Sequence, residues 1–327
     1  MRIALAAGAA LMTGISLSAA AQSQPGSTLP DAAPAAAAEP AWSWHGHTVA
    51  EGVTHRYRLF LPPGGGRMPL LVMLHGCTQD PDDFARGTRM NEVAAELGFA
   101  VVYPEQTAER QPQRCWTWYD RAQQGRGGEA AAIAGIARSV AAEHGLDGAR
   151  IYVAGISAGG AMAVNLAAAY PELFAAVAAH SALPYGAAGN VMEGLGAMKG
   201  GGPAADSLAA RLRAALGDRT VPLLAVHGGA DPVVLPANGR RLAEQWAAAH
   251  ALAAPGADEA GTEGGAATRR TRWMREGAPL VELVVVDGVA HAWAGGSPEG
   301  TYTDARGPDA SRLVARWLLR HVREYRP

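Results

Sequence analysis

Short apolar runs alternate with longer, helix-patterned stretches along most of the chain. The run 70–74 (LLVML) ends at His75-Gly76, 99–103 (FAVVY) stops at Pro104, and 151–154 (IYVA) leads into Gly155. Two more follow: 223–226 (LLAV) into His227-Gly228, and 281–286 into Asp287-Gly288. Runs this short, continuous rather than alternating and bounded by Gly or Pro, predict strands covered on both faces. Between them the pattern predicts helices at about 82–97, 128–144, 158–169, 237–250 and 308–323. Strand–helix alternation of this kind predicts an α/β fold, a mostly parallel central sheet flanked by helices. The segment 54–61 (THRYRLFL) alternates and is expected as an antiparallel edge strand. The segment 254–267 (APGADEAGTEGGAA) has the composition of an exposed, mobile insertion.

The first forty residues do not fit this pattern. Met1-Arg2 supplies one positive charge, a weak apolar run reaches Leu17, and Ser18-Ala19-Ala20-Ala21 places small residues ahead of a cleavage after Ala21. That is the layout of a secretory signal peptide over 1–21. Gly8, Thr13, Gly14 and Ser16 interrupt the run, which argues against stable membrane insertion. Residues 22–40 are rich in Ala and Pro without a core-forming period and read as a flexible leader. Residues 41–327 remain, about 285 in all, a size that suits a single domain.

Composition narrows the function. Of 327 residues, 49% are hydrophobic and 18% charged, enough apolar material for a core and too little charge for a disordered chain. With 28 Lys+Arg against 30 Asp+Glu, the chain lacks the concentrated basic surface that nucleic acid requires. Only two cysteines are present, Cys77 and Cys115, so no cysteine-based metal cluster is possible, and no metal or cofactor is expected. In an exported protein two cysteines in one domain tend to pair. A Cys77–Cys115 bridge would close a loop worth about 4 kcal/mol in the chain-entropy picture.

The chemistry-bearing motif is Gly155-Ile156-Ser157-Ala158-Gly159, set between a predicted strand and a predicted helix. In that context G-x-S-x-G marks a nucleophile elbow, a sharp turn whose glycines let neighbouring backbone approach. A serine hydroxyl needs a base, and the base an orienting carboxylate, in the chain order Ser, acid, His. His291 follows the last strand run and precedes the last helix, so it is the candidate base. His180 reads as a hydrogen-bonded core residue and His227 as a loop support, while His250 and His321 fall on predicted helices and are expected to face solvent. Asp231, after the 223–226 run, is the candidate acid, preferred to Asp287, which would share a loop with His291. An oxyanion needs two preorganised donors. The backbone N–H groups of Ala158 and, from the loop His75-Gly76-Cys77-Thr78, of Cys77 are the candidates, and a bridge from Cys77 to Cys115 would pin that loop.

Six blocks in order, HGCTQ (75–79), VVYPEQ (101–106), RCWTWYD (114–120), GISAGGAMA (155–163), HGGADPVV (227–234) and HAWAGG (291–296), resemble the polyhydroxybutyrate depolymerase-type esterases. These are α/β-hydrolases similar to secreted feruloyl and acetylxylan esterases. The resemblance spans about 45–323 and implies Ser157, Asp231 and His291 as a triad, with an oxyanion role for the HGC loop. It also implies Trp116, Trp118, Tyr119 and Trp293 as candidates for an apolar wall around the acyl group. Enzymes of this kind that attack solid polyester resemble the catalytic core plus a linker and a polymer-binding domain. Here the chain ends at Pro327, which leads us to expect a small ester or oligoester substrate. Feruloyl or acetyl groups on plant cell-wall polysaccharide are the alternative, and a non-catalytic binding protein on the same scaffold is the alternative of another class.

Overall fold

The parallel strands carry no polar alternation because both of their faces are covered. The computed structural model describes residues 41–323 apart from Glu51, so the expected signal peptide (1–21) and leader (22–40) lie outside the described residues. The chain runs β1 (Ala41–Thr48), β2 (Thr54–Leu61), β3 (Leu70–Leu74), α1 (Pro81–Thr88), α2 (Met90–Leu97), β4 (Ala100–Pro104), α3 (Gly128–Glu143) and β5 (Ile151–Ile156). It continues through α4 (Ala158–Ala169), β6 (Ala176–His180), α5 (Val191–Met198), α6 (Ala205–Leu216), β7 (Leu223–Gly228) and α7 (Ala237–Ala249). The remainder is β8 (Glu259–Glu263), β9 (Ala266–Arg275), β10 (Ala278–Val286), β11 (Trp293–Ala294), β12 (Thr303–Asp304) and α8 (Ala310–Leu318). No helix among the described residues is long and apolar enough to cross a membrane.

Among these residues ten strands form one sheet in the order β1-β2-β4-β3-β5-β6-β7-β10-β9-β8. The six from β4 to β10 are parallel, and the antiparallel hairpin β1–β2 and the strands β9 and β8 extend the two sides. Leu70, Val72 and Leu74 of β3 point into a core with α3, α4 and α7, whereas Leu71 and Met73 point into a second core with α1, α2 and α8. The alternating runs anticipate this mostly parallel α/β sheet, and the resemblance of the motif blocks implies its α/β-hydrolase architecture. Strand order reverses beside β3, whose neighbours are β4 and β5, so a crevice opens over the carboxyl ends of β3 and β5.

Three local expectations change. The helix expected over 82–97 breaks at Arg89, which adopts φ 51° between α1 and α2. Thr88 Oγ donates to Phe84 O, and the Thr88 carbonyl accepts from Ser311 of α8, so that carbonyl is committed across the core rather than to the helix. The segment expected as a mobile insertion, 254–267, instead contains β8 and the start of β9. Its strand residues are nearly all exposed, which is why they lack an apolar signal. A ladder of charges holds them: Arg270 donates to Glu263 and Glu282, and Arg272 to Glu259. His250 and His321, expected to face solvent, lie just past the ends of α7 and α8 and are half-buried, with burial pushing each pKa down to about 4.

Glu282 is only 4% exposed and takes Arg270 at 2.8 Å and Arg272 at 3.3 Å. Removing it would leave two guanidinium groups without their shared counter-ion in a partly dry site. Glu282→Ala is expected to lower stability by about 2–3 kcal/mol in urea unfolding. A change below about 0.5 kcal/mol, the ordinary scatter for surface positions, would show that the ladder carries nothing.

Candidate active site

The elbow is built by close backbone contact. A Cβ placed on Gly155 would lie 2.5 Å from the Gly159 carbonyl carbon and 2.6 Å from Leu74 O, and one on Gly159 would lie 2.2 Å from Leu74 O. No side chain fits at either position. Between them Ser157 adopts φ 57°, ψ −122°, a conformation costing about 1–3 kcal/mol for a non-glycine residue. The Ser157 N–H donating to His180 O at 2.9 Å and the Ala161 N–H donating to Ser157 O at 2.9 Å fix it there.

Asp231 sits in the turn after β7, 2% exposed. Its Oδ1 accepts from the backbone N–H groups of Val233 and Val234, both at 2.9 Å, and its Oδ2 accepts from His291 Nδ1 at 2.7 Å. A carboxylate can only accept, so the His291 proton resides on Nδ1 and leaves Nε2 free as an acceptor. Burial alone would raise the Asp231 pKa, but the hydrogen bond from His291 and the two N–H groups outweigh it and hold the carboxyl below its ordinary range.

Ser157 and His291 line one cavity of about 240 Å³, together with Gly76, Cys77, Gln79, Gln113, Ile156, Met198, Val233 and Tyr302. The loop after β3 passes against the elbow: a Cβ on Gly76 would stand 3.6 Å from Ser157 Cβ. The Gly76 N–H is taken by Gln79 Oε1 at 3.0 Å. Those of Cys77 and Ala158 have no partner among the described residues, so two donors remain available beside Ser157 Oγ.

Two devices fix that loop. Cys77 and Cys115 are bridged across 38 positions, with Thr78 N–H donating to Gln113 O at 2.6 Å beside the bridge. His75, buried under it, donates from Nδ1 to Gly76 O at 2.8 Å and accepts the Gln106 N–H on Nε2 at 3.2 Å. The histidines nearer His291 act likewise. His180 accepts the Ala294 N–H on Nε2 at 3.3 Å, which ties β6 to the His291 loop. His227 donates from Nε2 to Val234 O at 2.8 Å, bracing the Asp231 turn. Although His227 Nε2 lies 3.6 Å from Asp231 Oδ2, burial lowers its pKa, so this is a neutral strut and not an ion pair.

The four aromatics expected as an acyl wall are not among the cavity-lining residues. Trp116 packs on His75 beneath the HGC loop, with ring centroids 5.5 Å apart. Trp293 stacks on His180 at 5.1 Å and donates from Nε1 to Ser311 Oγ. Trp118 and Tyr119 meet edge to face and lie under Gly194 of α5. They support the site from behind because burying large rings stabilises the fold more than leaving them at a wall. The apolar lining comes instead from Ile156, Met198, Val233 and Tyr302. Of these, Tyr302 lies in a loop without period, its OH 3.2 Å from Thr78 Oγ, and the sequence offers no signal that would single it out.

Against known proteins, the family model described as Esterase PHB depolymerase matches residues 55–268. The chain belongs to that esterase family. The match covers Ser157 and Asp231 and ends before His291, which the fold alone brings to the site. A poly(3-hydroxyalkanoate) depolymerase C from Paucimonas lemoignei is 32% identical over 228 residues, 68% of this chain and 54% of that protein. A feruloyl esterase B from Neurospora crassa is 35% identical over 118 residues, 36% of this chain and 39% of that protein. The chain thus spans about half or less of these relatives' length. The solved acetyl xylan esterase from Aspergillus awamori shares the fold at TM-score 0.64 and 20% identity, over 76% of this chain and 94% of that one.

Burial holds His75 at a pKa of about 4 and His180 at about 3, against an ordinary value of 6.5. Both are neutral in the folded protein and protonate in the unfolded chain as pH drops below about 6.5, so their contribution is complete above that value and is lost toward pH 4. With His250 and His321 lowered by burial in the same way, stability is expected to fall steadily as the pH drops through that window. Urea midpoints measured from pH 7.5 to 4.5 check this, and a flat profile between pH 6.5 and 5 would contradict it.

Proposed function

We propose that the chain is a serine carboxylic-ester hydrolase working through an acyl-enzyme. Ser157 is the nucleophile, His291 the base, Asp231 the orienting acid, and the N–H groups of Ala158 and Cys77 the oxyanion donors. The observation that carries this reading is the 2.7 Å Asp231–His291 hydrogen bond, which leaves Nε2 proton-free on a histidine that shares a cavity with Ser157. Ser157 Oγ has no hydrogen-bond partner among the described residues, and such bonds commonly tighten only when substrate is bound.

On this reading Ser157 Oγ attacks the ester carbonyl while its proton passes to His291 Nε2. The carbonyl oxygen becomes an oxyanion held by the two N–H groups, whose orientation is fixed beforehand by the elbow and the disulfide-bound loop. Collapse expels the alkoxide, which takes the proton from His291. Water then repeats the sequence on the acyl-enzyme, with His291 removing its proton and returning it to Ser157.

Hydroxyalkanoate oligomers or related small esters are the proposed substrates, supported by similarity to the depolymerase and by an apolar lining of Ile156, Met198, Val233 and Tyr302. Similarity to feruloyl esterase supports a second reading, removal of feruloyl or acetyl groups from cell-wall polysaccharide. The expected signal peptide over 1–21 and the Cys77–Cys115 bridge support export to an oxidising compartment.

Ser157→Ala is expected to reduce hydrolysis of p-nitrophenyl butyrate by about 10⁴-fold or more and to abolish labelling by an organophosphonate. Retention of most of the activity would remove Ser157 from its role, whereas a wild type that hydrolyses no ester would favour a binding protein. Initial rates on hydroxybutyrate trimer and methyl ferulate, run side by side, separate the two substrates; a strong ferulate preference would select the second reading.

A further inference from the structure

Among the described residues, eight large apolar side chains are exposed; two of them, Val233 and Tyr302, line the cavity, and three more, Val191, Met192 and Leu195, stand on α5. The three on α5 are 52%, 72% and 54% exposed. Positions 191, 195 and 198 stand at i, i+4 and i+7, one helix face, and 192 adjoins 195 at i+3. Met198 is itself part of the cavity lining. An unbroken apolar stripe therefore leaves the cavity and continues over the surface for about 10 Å, at 1.5 Å per residue.

The helix is fixed in this orientation. The adjoining flank of the helix, with Gly194 and Ala197, is buried, with a Cβ on Gly194 only 3.1 Å from that of Tyr119. At its N-terminus Asn190 Oδ1 accepts the Glu193 N–H at 3.0 Å, and the Glu193 carboxylate accepts from Asn190 Nδ2 and the Gly189 N–H. At its C-terminus Met198 O accepts the Leu235 N–H at 2.9 Å, and Lys199 Nζ donates to Pro232 O at 2.6 Å, beside Asp231. The charges on the helix and its C-cap, Glu193 and Lys199, are thus engaged away from the stripe, and the Arg121 guanidinium stands at the N-terminal end beside Gly189. The side chains of the stripe themselves offer no hydrogen bond to a saccharide hydroxyl and no counter-charge to an anion. A rigid helix holding large apolar groups in water next to a reaction site marks a surface that a ligand covers.

We propose that Val191, Met192, Leu195 and Met198 form a subsite for the uncharged, apolar part of an ester chain extending past the scissile bond, so that long or oligomeric aliphatic esters are selected over acetyl esters. The proposal rests on the ester-hydrolase reading above. Its occupant follows from the continuity of the stripe with the cavity that contains Ser157 and His291.

The test compares wild type with the double variant Met192→Ser/Leu195→Ser. Because both positions are exposed, the variant is expected to keep its melting temperature. The ratio of kcat/KM for p-nitrophenyl decanoate to that for the acetate is expected to fall about fivefold or more, mainly through KM, and to recover in Met192→Leu/Leu195→Met. An unaltered ratio, or an equal loss on both esters, would overturn the subsite. A binding measurement makes this independent of turnover: in a Ser157→Ala background, calorimetry with hydroxybutyrate tetramer should show about fivefold weaker binding when the two serines are added. Equal affinity in both backgrounds overturns the subsite even if wild type hydrolyses no ester, an outcome that would separately sink the catalytic reading. Sedimentation is expected to show the same mass for wild type and variant; a dimer that Met192→Ser dissolves would assign the stripe to self-association instead.

Discussion

The carbonyl oxygen of Leu74, at the end of β3, is the point around which the candidate site is organised. Gly155 and Gly159 both press against it, closely enough that a single methyl group on either would collide. That packing seats the turn carrying Ser157 beside the loop carrying Cys77, and it occurs where the strand order reverses and a crevice is open. Displacing the Leu74 carbonyl would move Ser157 and Cys77 relative to each other.

Around that point the protein uses neutral histidines as struts. His75, His180 and His227 each use a ring nitrogen to hold backbone of a loop that bears a site residue: Gly76, Ala294 and Val234. A neutral imidazole can donate from one nitrogen and accept at the other, which lets His75 and His180 tie segments distant in sequence within a dry interior. The consequence is a dependence on pH that belongs to the fold and not to the reacting groups. Burial also explains why the rings that rank as attractive substrate contacts, Trp116 and Trp293, are spent beneath the loops, each packed on one of these histidines.

Most of the parallel sheet was legible in the chain, because a strand covered on both faces must be apolar throughout and must end at a turn. The edges were not. In β8 and β9 the pairing depends on Arg270 and Arg272 meeting Glu263, Glu282 and Glu259, a cross-strand match that no local pattern expresses. Helix α5 escaped notice for a related reason, whereas α6 buries Leu208, Leu212 and Leu216 at i, i+4 and i+8, a period that the sequence does carry. α5 is glycine-containing and exposes apolar residues, opposite to the amphipathic rule, and its seat is an aromatic pair about seventy positions earlier.

The sequence by itself determined most of the parallel strands, the elbow and the places of Ser157, Asp231 and His291 along the chain, since each depends on local constraints: continuous burial, two glycines required by backbone contact, and a residue placed just after a strand. Only the tertiary structure decided which side chains line the cavity. That choice removed Trp116, Trp118, Tyr119 and Trp293 from its wall and put Met198, Val233 and Tyr302 there. The physical reason is that a lining position is defined by what is left uncovered once distant segments have packed. An aromatic ring looks the same in sequence whether it ends beneath a loop or beside a substrate.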